Sequence, residues 1–327
     1  MDILAKISVV LVVLLVSLAA YLRLANSGIG CPDWPACYGR LGETPEATET
    51  LATGSFQAPS AFEILGASTN KTMAWSTPVH RLLATALTFL VIGMTYLAFR
   101  SREHRLLCLA LTGLTVFLAV LGIKSGGLQS PAVVMGNLAG GFCLLGLFGW
   151  LALGRDERSA ADAGGPMGWA LIATILLGLQ ILLGGLTSAN FAATACTTLP
   201  DCHGSYLPGP ALVTALDLSR THELSPLGVV VGGAQQADIH KLHRLGAVAT
   251  LVATLIAGFA ALRLGTGFAR LGAVIILLVV VEFSIGIAAI LTELPIGLAV
   301  GHNWVAALLL LSLIRLMALS RVRTNHE

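Results

Sequence analysis

Residues 30–39 read Gly-Cys-Pro-Asp-Trp-Pro-Ala-Cys-Tyr-Gly, a loop with five residues between its two cysteines, Cys31 and Cys37. A looser copy begins 165 residues later at Cys196, again with five residues before the second cysteine, Cys202, and with a glycine two residues beyond it. Each copy follows a long apolar run. Two such loops at corresponding places in two halves predict an internally duplicated chain.

The apolar runs around these loops are long enough to cross a membrane. Of the 327 residues, 56% are hydrophobic and 11% are charged, whereas soluble domains carry about 25% charged residues. The first run has a weakly charged start and a counterpart in mid-chain, so we expect a retained helix and not a cleaved signal peptide. The sequence therefore predicts an all-α integral membrane protein with eight transmembrane helices. Runs near the roughly 20 residues that a spanning helix needs lie at Ile7–Leu24, His80–Phe99, Leu106–Ile123, Ala132–Leu153, Trp169–Thr187, Ile239–Leu262, Leu271–Leu291 and Ile296–Ile314.

The two halves match each other at a nearly constant offset. The triplet that begins at His80 recurs, 163 residues on, as the triplet that begins at His243, and Asn137 corresponds to His302 at an offset of 165. Four spans return the chain to its starting side, so the halves run in parallel orientation. This excludes a transporter built from inverted repeats and predicts two tandem four-helix bundles related by internal duplication.

The distribution of arginine predicts the orientation. Most arginines fall in the short even-numbered connections and at the C-terminus, which places both termini in the cytoplasm and the cysteine loops outside. The bundles would comprise residues 1–154 and 168–327, joined by a cytoplasmic linker at 155–167. An extracytoplasmic compartment permits disulfides, so we expect bridges within both cysteine pairs, with two reduced pairs or a metal site as the alternatives.

Histidines inside the spans are the candidate functional residues, because ionisable side chains are costly there and usually functional. His240 and His243 share one face of the sixth span, and His302 starts the second turn of the eighth. Both spans are entered from the outer side, so His243 and His302 should lie at similar depth. Two imidazoles from facing helices can ligate a heme iron on both sides; the alternative is that each is an ordinary hydrogen-bonded contact between helices.

Basic residues lie near the outer ends of several spans. They could pair with heme propionates or extend to the membrane surface as ordinary helix-end residues. These residues are Arg23, Arg81, Lys241 and Arg244. The roles of His203, His222 and His240 stay open. The net charge of +2 comes without a basic cluster, so no nucleic-acid partner is expected.

The chain closely resembles the heme A synthase family, the membrane enzymes that oxidise a methyl group of heme O to the formyl group of heme A. The resemblance covers the whole chain, and the first cysteine loop is a specific motif. The matching residues are Gly30–Gly39, His80-Arg81, Leu183–Asn190, the second cysteine pair, Ile239–Ala247, Leu294-Pro295 and Ala299–Asn303.

The resemblance implies heme b in the C-terminal half, between two histidines that map onto His243 and His302. It implies substrate heme O in the N-terminal half, between His80 and a histidine position that here is Asn137. The family's catalytic glutamate, three residues before the histidine, maps onto Thr77, which has no carboxylate. Glu63 in the first outer loop is a candidate replacement.

Two functions follow from the resemblance. The first is a heme A synthase-like oxidoreductase for terminal oxidase biogenesis, in which His80 is the sole strong protein ligand of heme O. The second is a catalytically divergent paralogue that binds heme b and acts in oxidase assembly, heme delivery or electron transfer. The expected setting is the bilayer of the cell's inner (plasma) membrane. A heme O synthase and terminal oxidase assembly factors are the expected partners, and oligomerisation stays open.

Overall fold

Among the residues that the structure describes, eight helices are long and apolar enough to cross a membrane, which confirms the predicted fold class. The computed structural model describes residues 1–25, 76–124, 131–154, 166–219, 222–224, 230–231 and 233–320. The helices of these residues, in chain order, are α1 (Asp2–Ala25), α2 (Ser76–Ser101), α3 (Arg105–Lys124), α4 (Pro131–Leu153), α5 (Met167–Ala189), the short α6 (Ala211–Ala215), α7 (Gly233–Leu262), α8 (Thr266–Leu291) and α9 (Ile296–Leu319).

The helices extend beyond the predicted apolar runs, because polar residues at the ends of the runs also adopt helical conformation. The largest extension is in α7, which begins at Gly233, six residues before the predicted start at Ile239. Proline marks two other starts: α4 begins with Pro131, and Pro295 directly precedes α9. Proline suits the start of a helix because its missing N–H would have no partner there.

The spanning helices form two rings of four that share a wall. In the first ring, α1 and α3 each contact both α2 and α4; in the second, α7 and α9 each contact both α5 and α8. The shared wall consists of α9 packed on α1 and α4, and of α4 packed on α5. Phe148 of α4 and Leu313 of α9 are fully buried in the core. The domain limits and the duplication remain predictions.

α7 and α8 cross so closely that both helices need glycine at the crossing. A Cβ atom on Gly272 of α8 would lie 2.6 Å from the carbonyl oxygen of Gly258 of α7. Backbone cannot move away as the end of a flexible side chain can. Small residues permit such close helix packing in membranes, and here they hold two walls of the second ring together.

The segment between α5 and α7 packs on the first turns of α7. It contains α6, a two-stranded antiparallel ribbon of β1 (Glu223–Leu224) and β2 (Val230–Val231), and a disulfide between Cys196 and Cys202. The bridge confirms the prediction for this pair and excludes the reduced and metal-bound alternatives for it. Cys31 and Cys37 lie outside the described residues, so their bridge stays a prediction.

Candidate functional site

A cavity of about 640 Å³ lies within the second ring. Its walls come from α5, α7, α8 and α9, and residues of α1 and α4 close it on the side of the first ring. Most lining residues are apolar, among them Phe142 and Phe283. Cofactor and ligand sites typically measure roughly 300–1,000 Å³ and combine apolar walls with a few polar groups, so this cavity has the size and character of such a site.

Two histidine rings meet in the cavity, as their register in the sequence predicts. The ring centroids of His243 on α7 and His302 on α9 are 6.4 Å apart, and the ring planes are inclined by 74°. An imidazole nitrogen binds a metal at roughly 2.0–2.1 Å, which puts the ring centroid about 3.2 Å from the metal. Two rings on opposite sides of one metal atom would be separated by twice that distance. The observed separation therefore suits one metal atom between the rings.

Gln180 and Gly184 of α5 lie against His243. The Nε2 atom of Gln180 donates a hydrogen bond of 3.0 Å to the carbonyl oxygen of His243 and lies 3.0 Å from Nδ1 of the ring. A Cβ atom on Gly184 would be 3.3 Å from the ring's Cε1 atom. An amide and a glycine one helical turn apart thus fix one edge of the ring and leave space beside it.

Glu282 and Gly286 of α8 repeat this arrangement around His302. The Oε1 atom of Glu282 lies 3.3 Å from Nδ1 of His302, although the two groups lack the alignment of a hydrogen bond. The Oε2 atom of Glu282 and Nδ1 of His302 are buried without a hydrogen-bond partner among the described residues. A Cβ atom on Gly286 would be 3.6 Å from Cε1 of His302.

These residues fit a heme. The distance between the rings suits a single iron, and the two glycines leave room beside the imidazoles that a larger side chain would fill. The apolar lining suits the body of a porphyrin. Buried polar atoms without partners are rare in folded proteins and call for an explanation such as a ligand, and Glu282 supplies such an atom inside the cavity.

Basic side chains line the end of the cavity nearest the disulfide loop. His240 is only 4% exposed, and its Nδ1 atom has no hydrogen-bond partner within the described part of the chain. Arg244, one turn further along α7, and Arg23 at the end of α1 line the same cavity. Nitrogen donors at one end of an apolar cavity form a suitable site for carboxylate groups.

Arg244 also ties the disulfide loop to α7. Its Nη2 atom donates a hydrogen bond of 2.7 Å to the carbonyl oxygen of Cys196. Its Nη1 atom donates hydrogen bonds of 2.8 Å to the carbonyl oxygens of Thr198 and Asp201. Because Leu199 from the same loop lines the cavity, the loop covers one end of the cavity, and Arg244 helps to hold it there through three hydrogen bonds.

Two basic residues predicted at the site lie outside the cavity lining. Lys241 forms an ion pair with the buried Asp238, with 2.8 Å between Nζ and Oδ1. Arg81 is exposed near the start of α2. Neither Lys241 nor Arg81 is among the residues that line the cavity, so of the four basic residues singled out in the sequence, the structure brings Arg23 and Arg244 to it.

The predicted substrate residues belong to the first ring. His80 is half-buried in the second turn of α2, and Asn137 is half-buried near the start of α4. Thr77 is the second residue of α2. Glu63 lies outside the residues that the structure describes, so its role as a replacement carboxylate stays a prediction.

The two loop histidines brace the loop. The Nε2 atom of His203 donates a hydrogen bond of 3.3 Å to the carbonyl oxygen of Ala195, and that of His222 donates one of 3.0 Å to the carbonyl oxygen of Ala189. The ring of His222 also packs edge-on against Phe191, with 5.5 Å between centroids. Neither histidine lines the cavity.

Gln180 and Glu282 are site residues that the sequence predictions miss. Glu282 interrupts an apolar span, and an ionisable residue in such a place signals function. Spacing is a second signal, because Gln180 precedes Gly184 by four residues just as Glu282 precedes Gly286. This spacing indicates a functional site only when the structure shows that each pair lies beside a histidine.

Known proteins resemble this chain over nearly its whole length. Residues 2–314 match the model of the COX15-CtaA family, described as cytochrome oxidase assembly protein. The chain belongs to this family. It is 34% identical over 320 residues to the heme A synthase of Shewanella oneidensis, and the aligned region covers 95% of this chain and 94% of that relative.

More distant relatives agree. The heme A synthase of Paramagnetospirillum magneticum is 26% identical over 324 residues, covering 92% of this chain and 88% of the relative. That of Rhizorhabdus wittichii is 32% identical over 166 residues, covering 50% of this chain and 42% of the relative. The resemblance on the cysteine and histidine motifs is thereby confirmed at the level of the family.

Proposed function

We propose that the chain is a heme A synthase, a membrane oxidoreductase that converts a methyl group of heme O to the formyl group of heme A for a terminal oxidase. The observation that carries the proposal is the family match over residues 2–314. The alternative function, a divergent paralogue without this activity, finds no support, because the relatives that match nearly the whole chain are named heme A synthase.

His243 and His302 would hold a resident heme b in the second ring. When bound, its iron gains and loses single electrons, which suits it to take up the electrons that a methyl group releases on oxidation. Gln180 and Glu282 lie beside Nδ1 of the two rings, where they would orient the imidazoles toward the iron. The apolar walls of the cavity keep bulk water from the site.

The basic end of the cavity would bind the heme propionates. Arg244 and Arg23 carry permanent positive charge, and His240 offers a buried nitrogen without a partner among the described residues. Charge-assisted hydrogen bonds to carboxylates are roughly twice as strong as neutral ones. Lys241 would not be needed there, since it already neutralises Asp238.

The first ring would bind the substrate. His80 would ligate the iron of heme O, and Asn137 would lie on the side where the family has a second histidine, so that face of the iron would stay open. Thr77 cannot act as a carboxylate base near neutral pH, so a base would have to come from elsewhere. Glu63 is the candidate in the first loop.

The protein would sit in the cell's inner (plasma) membrane with both termini in the cytoplasm and the cysteine loops outside. Eight spanning helices support a multi-pass position, and the arginine distribution supports this orientation. A heme O synthase would supply the substrate, and terminal oxidase assembly would consume the product.

The activity is tested by co-expressing the protein with a source of heme O and identifying the extracted hemes. Heme A should appear only when the protein is present, and His80→Ala should abolish it while the b-type spectrum of the second ring persists. His104→Asn is the control, because His104 is exposed in the turn between α2 and α3 and asparagine tolerates its positive φ of 54°. Bound heme b without any conversion of heme O would contradict the proposal.

The heme b site has its own test. His243→Ala or His302→Ala should remove the bis-histidine b-type spectrum, and an unchanged spectrum would refute the ligand assignment. Gly184→Leu should lower heme content, because its side chain would collide with the His243 ring. Gly178→Leu on the same helix is the matched control, since a Cβ atom there meets nothing within 4 Å.

A further inference from the structure

We propose that Glu282 is a positioning residue of the resident heme. It would accept a hydrogen bond from Nδ1 of His302, present the ring's Nε2 atom to the iron, and hold the heme at a lower reduction potential than a neutral partner would. The inference rests on the proposed function, which puts a heme between His243 and His302.

Nδ1 of His302 lies beside the carboxyl group of Glu282. Nδ1 of His302 and Oε1 of Glu282 are 3.3 Å apart, and both Nδ1 and Oε2 are buried without a hydrogen-bond partner among the described residues. A histidine that binds a metal through one nitrogen keeps a proton on the other, which almost always goes to a carboxylate, a carbonyl or water. A small rotation of the ring would aim that proton at Glu282.

His243 has an uncharged amide at the place where His302 has a carboxyl group. Gln180 and Gly184 face His243 at the same four-residue spacing at which Glu282 and Gly286 face His302. Both polar residues lie at equivalent places beside their rings, but one is a neutral amide and the other a carboxylate. The two histidines therefore have unequal partners, and the partner that can carry a negative charge lies beside His302.

The first ring supports a link between the carboxylate and the histidine. At the offset of 164 that matches Gly286 with Gly122, Leu118 stands in the place of Glu282. Asn137 stands in the place of His302 in the same half. The carboxylate is thus present where the histidine is present and absent where the histidine is absent.

The consequence is a tuned potential. A carboxylate that accepts the Nδ1 proton makes the imidazole a more basic ligand, which favours ferric over ferrous iron and lowers the reduction potential. Glu282→Gln keeps the shape of the side chain and removes the carboxylate that would accept this proton. If the carboxylate favours ferric iron about tenfold, its removal raises the potential by about 59 mV for a one-electron couple.

The test is a redox titration of the purified protein, followed through the b-type absorption band. Glu282→Gln should keep the bis-histidine spectrum and raise the midpoint potential, whereas Gln180→Glu should lower it by adding a carboxylate beside His243. Glu293→Gln is the control, because Glu293 is exposed just beyond the end of α8, and its potential should equal that of the wild type.

The outcomes separate the inference from the proposed function. An intact bis-histidine spectrum with an unchanged potential in Glu282→Gln would overturn the role of Glu282 and leave the proposed function standing. If Glu282→Gln does not fold, an unchanged potential in Gln180→Glu would overturn it instead. A wild-type protein without a bis-histidine b-type spectrum would refute the heme b site itself, and the inference with it.

Discussion

Nη2 of Arg244 and the carbonyl oxygen of Cys196 are joined by a hydrogen bond of 2.7 Å, which connects a membrane-spanning helix to the disulfide loop. The same guanidinium binds two further carbonyl oxygens of the loop and lines the cavity. One side chain therefore couples the position of the loop to the shape of the cavity. The loop and the cavity should respond together to changes at Arg244.

Arg244→Lys should loosen the disulfide loop. Lysine keeps the charge but lacks the planar fork that reaches several carbonyl oxygens at once. A hydrogen bond to a charged group contributes roughly 1.5–3 kcal/mol to stability. Because the arginine is partly exposed, we expect the substitution to lower the stability of the loop by about that amount in total. Hydrogen exchange of the Cys202 amide, which donates to Ser205, should speed up. Arg263→Lys, at an exposed arginine, should leave the exchange rate of this amide unchanged. Equal exchange rates in both variants would contradict the role of Arg244 in holding the loop.

Lys241→Met should destabilise the protein without removing heme. Asp238 is 3% exposed, and removing one partner of a buried ion pair typically lowers the free energy of unfolding by about 3–5 kcal/mol. The double variant Asp238→Asn with Lys241→Met should lose less than the two single losses combined. Thermal unfolding in detergent and heme content measure the two effects. Loss of heme at unchanged stability would instead support Lys241 as a propionate ligand.

Gly272→Ala should weaken the crossing of α7 and α8. The new Cβ atom would lie 2.6 Å from the carbonyl oxygen of Gly258, and overpacking of this kind typically destabilises by about 1–3 kcal/mol. Gly178→Ala is the matched control, since its new Cβ atom meets open space and alanine favours the helix. Unfolding midpoints that shift equally in both variants would rule out the steric explanation.

Counting free thiols tests the bridge outside the described residues. The chain has six cysteines; Cys196 and Cys202 are bridged, and Cys108 and Cys143 are free thiols. Alkylation of the denatured, non-reduced protein followed by mass spectrometry should therefore label two thiols if Cys31 and Cys37 are bridged. Four labelled thiols would show that this pair is reduced.

Electron paramagnetic resonance tests the orientation of His243 and His302 as the proposed axial ligands of heme b. The planes of His243 and His302 are inclined by 74°, close to perpendicular. Perpendicular imidazole planes make two iron d orbitals nearly equal in energy, which produces a highly anisotropic low-spin ferric signal with a large maximum g value. A rhombic spectrum, typical of parallel planes, would show that the rings turn when they bind the iron.

The sequence predicts the spans and the meeting of the two histidines, and misses what surrounds them. Apolar length and the register of the repeat depend on local composition, so His243 and His302 can be matched without coordinates. The partners of a side chain depend on how helices rotate against each other. For this reason the carboxylate beside His302 emerges only from the folded chain. The pairing of Lys241 with Asp238 is different, because residues three apart on one helix are neighbours and their spacing alone would have predicted it.

The cavity wall combines residues of the first and the ninth helix. Arg23 and Leu24 belong to α1, and Asn303 and Ala306 belong to α9. During synthesis, therefore, the pocket does not exist until the last helix has entered the membrane and packed against the first. Loading of the proposed heme b would therefore have to follow translation of the spanning region, and a chain truncated before α9 should be inserted yet lack heme.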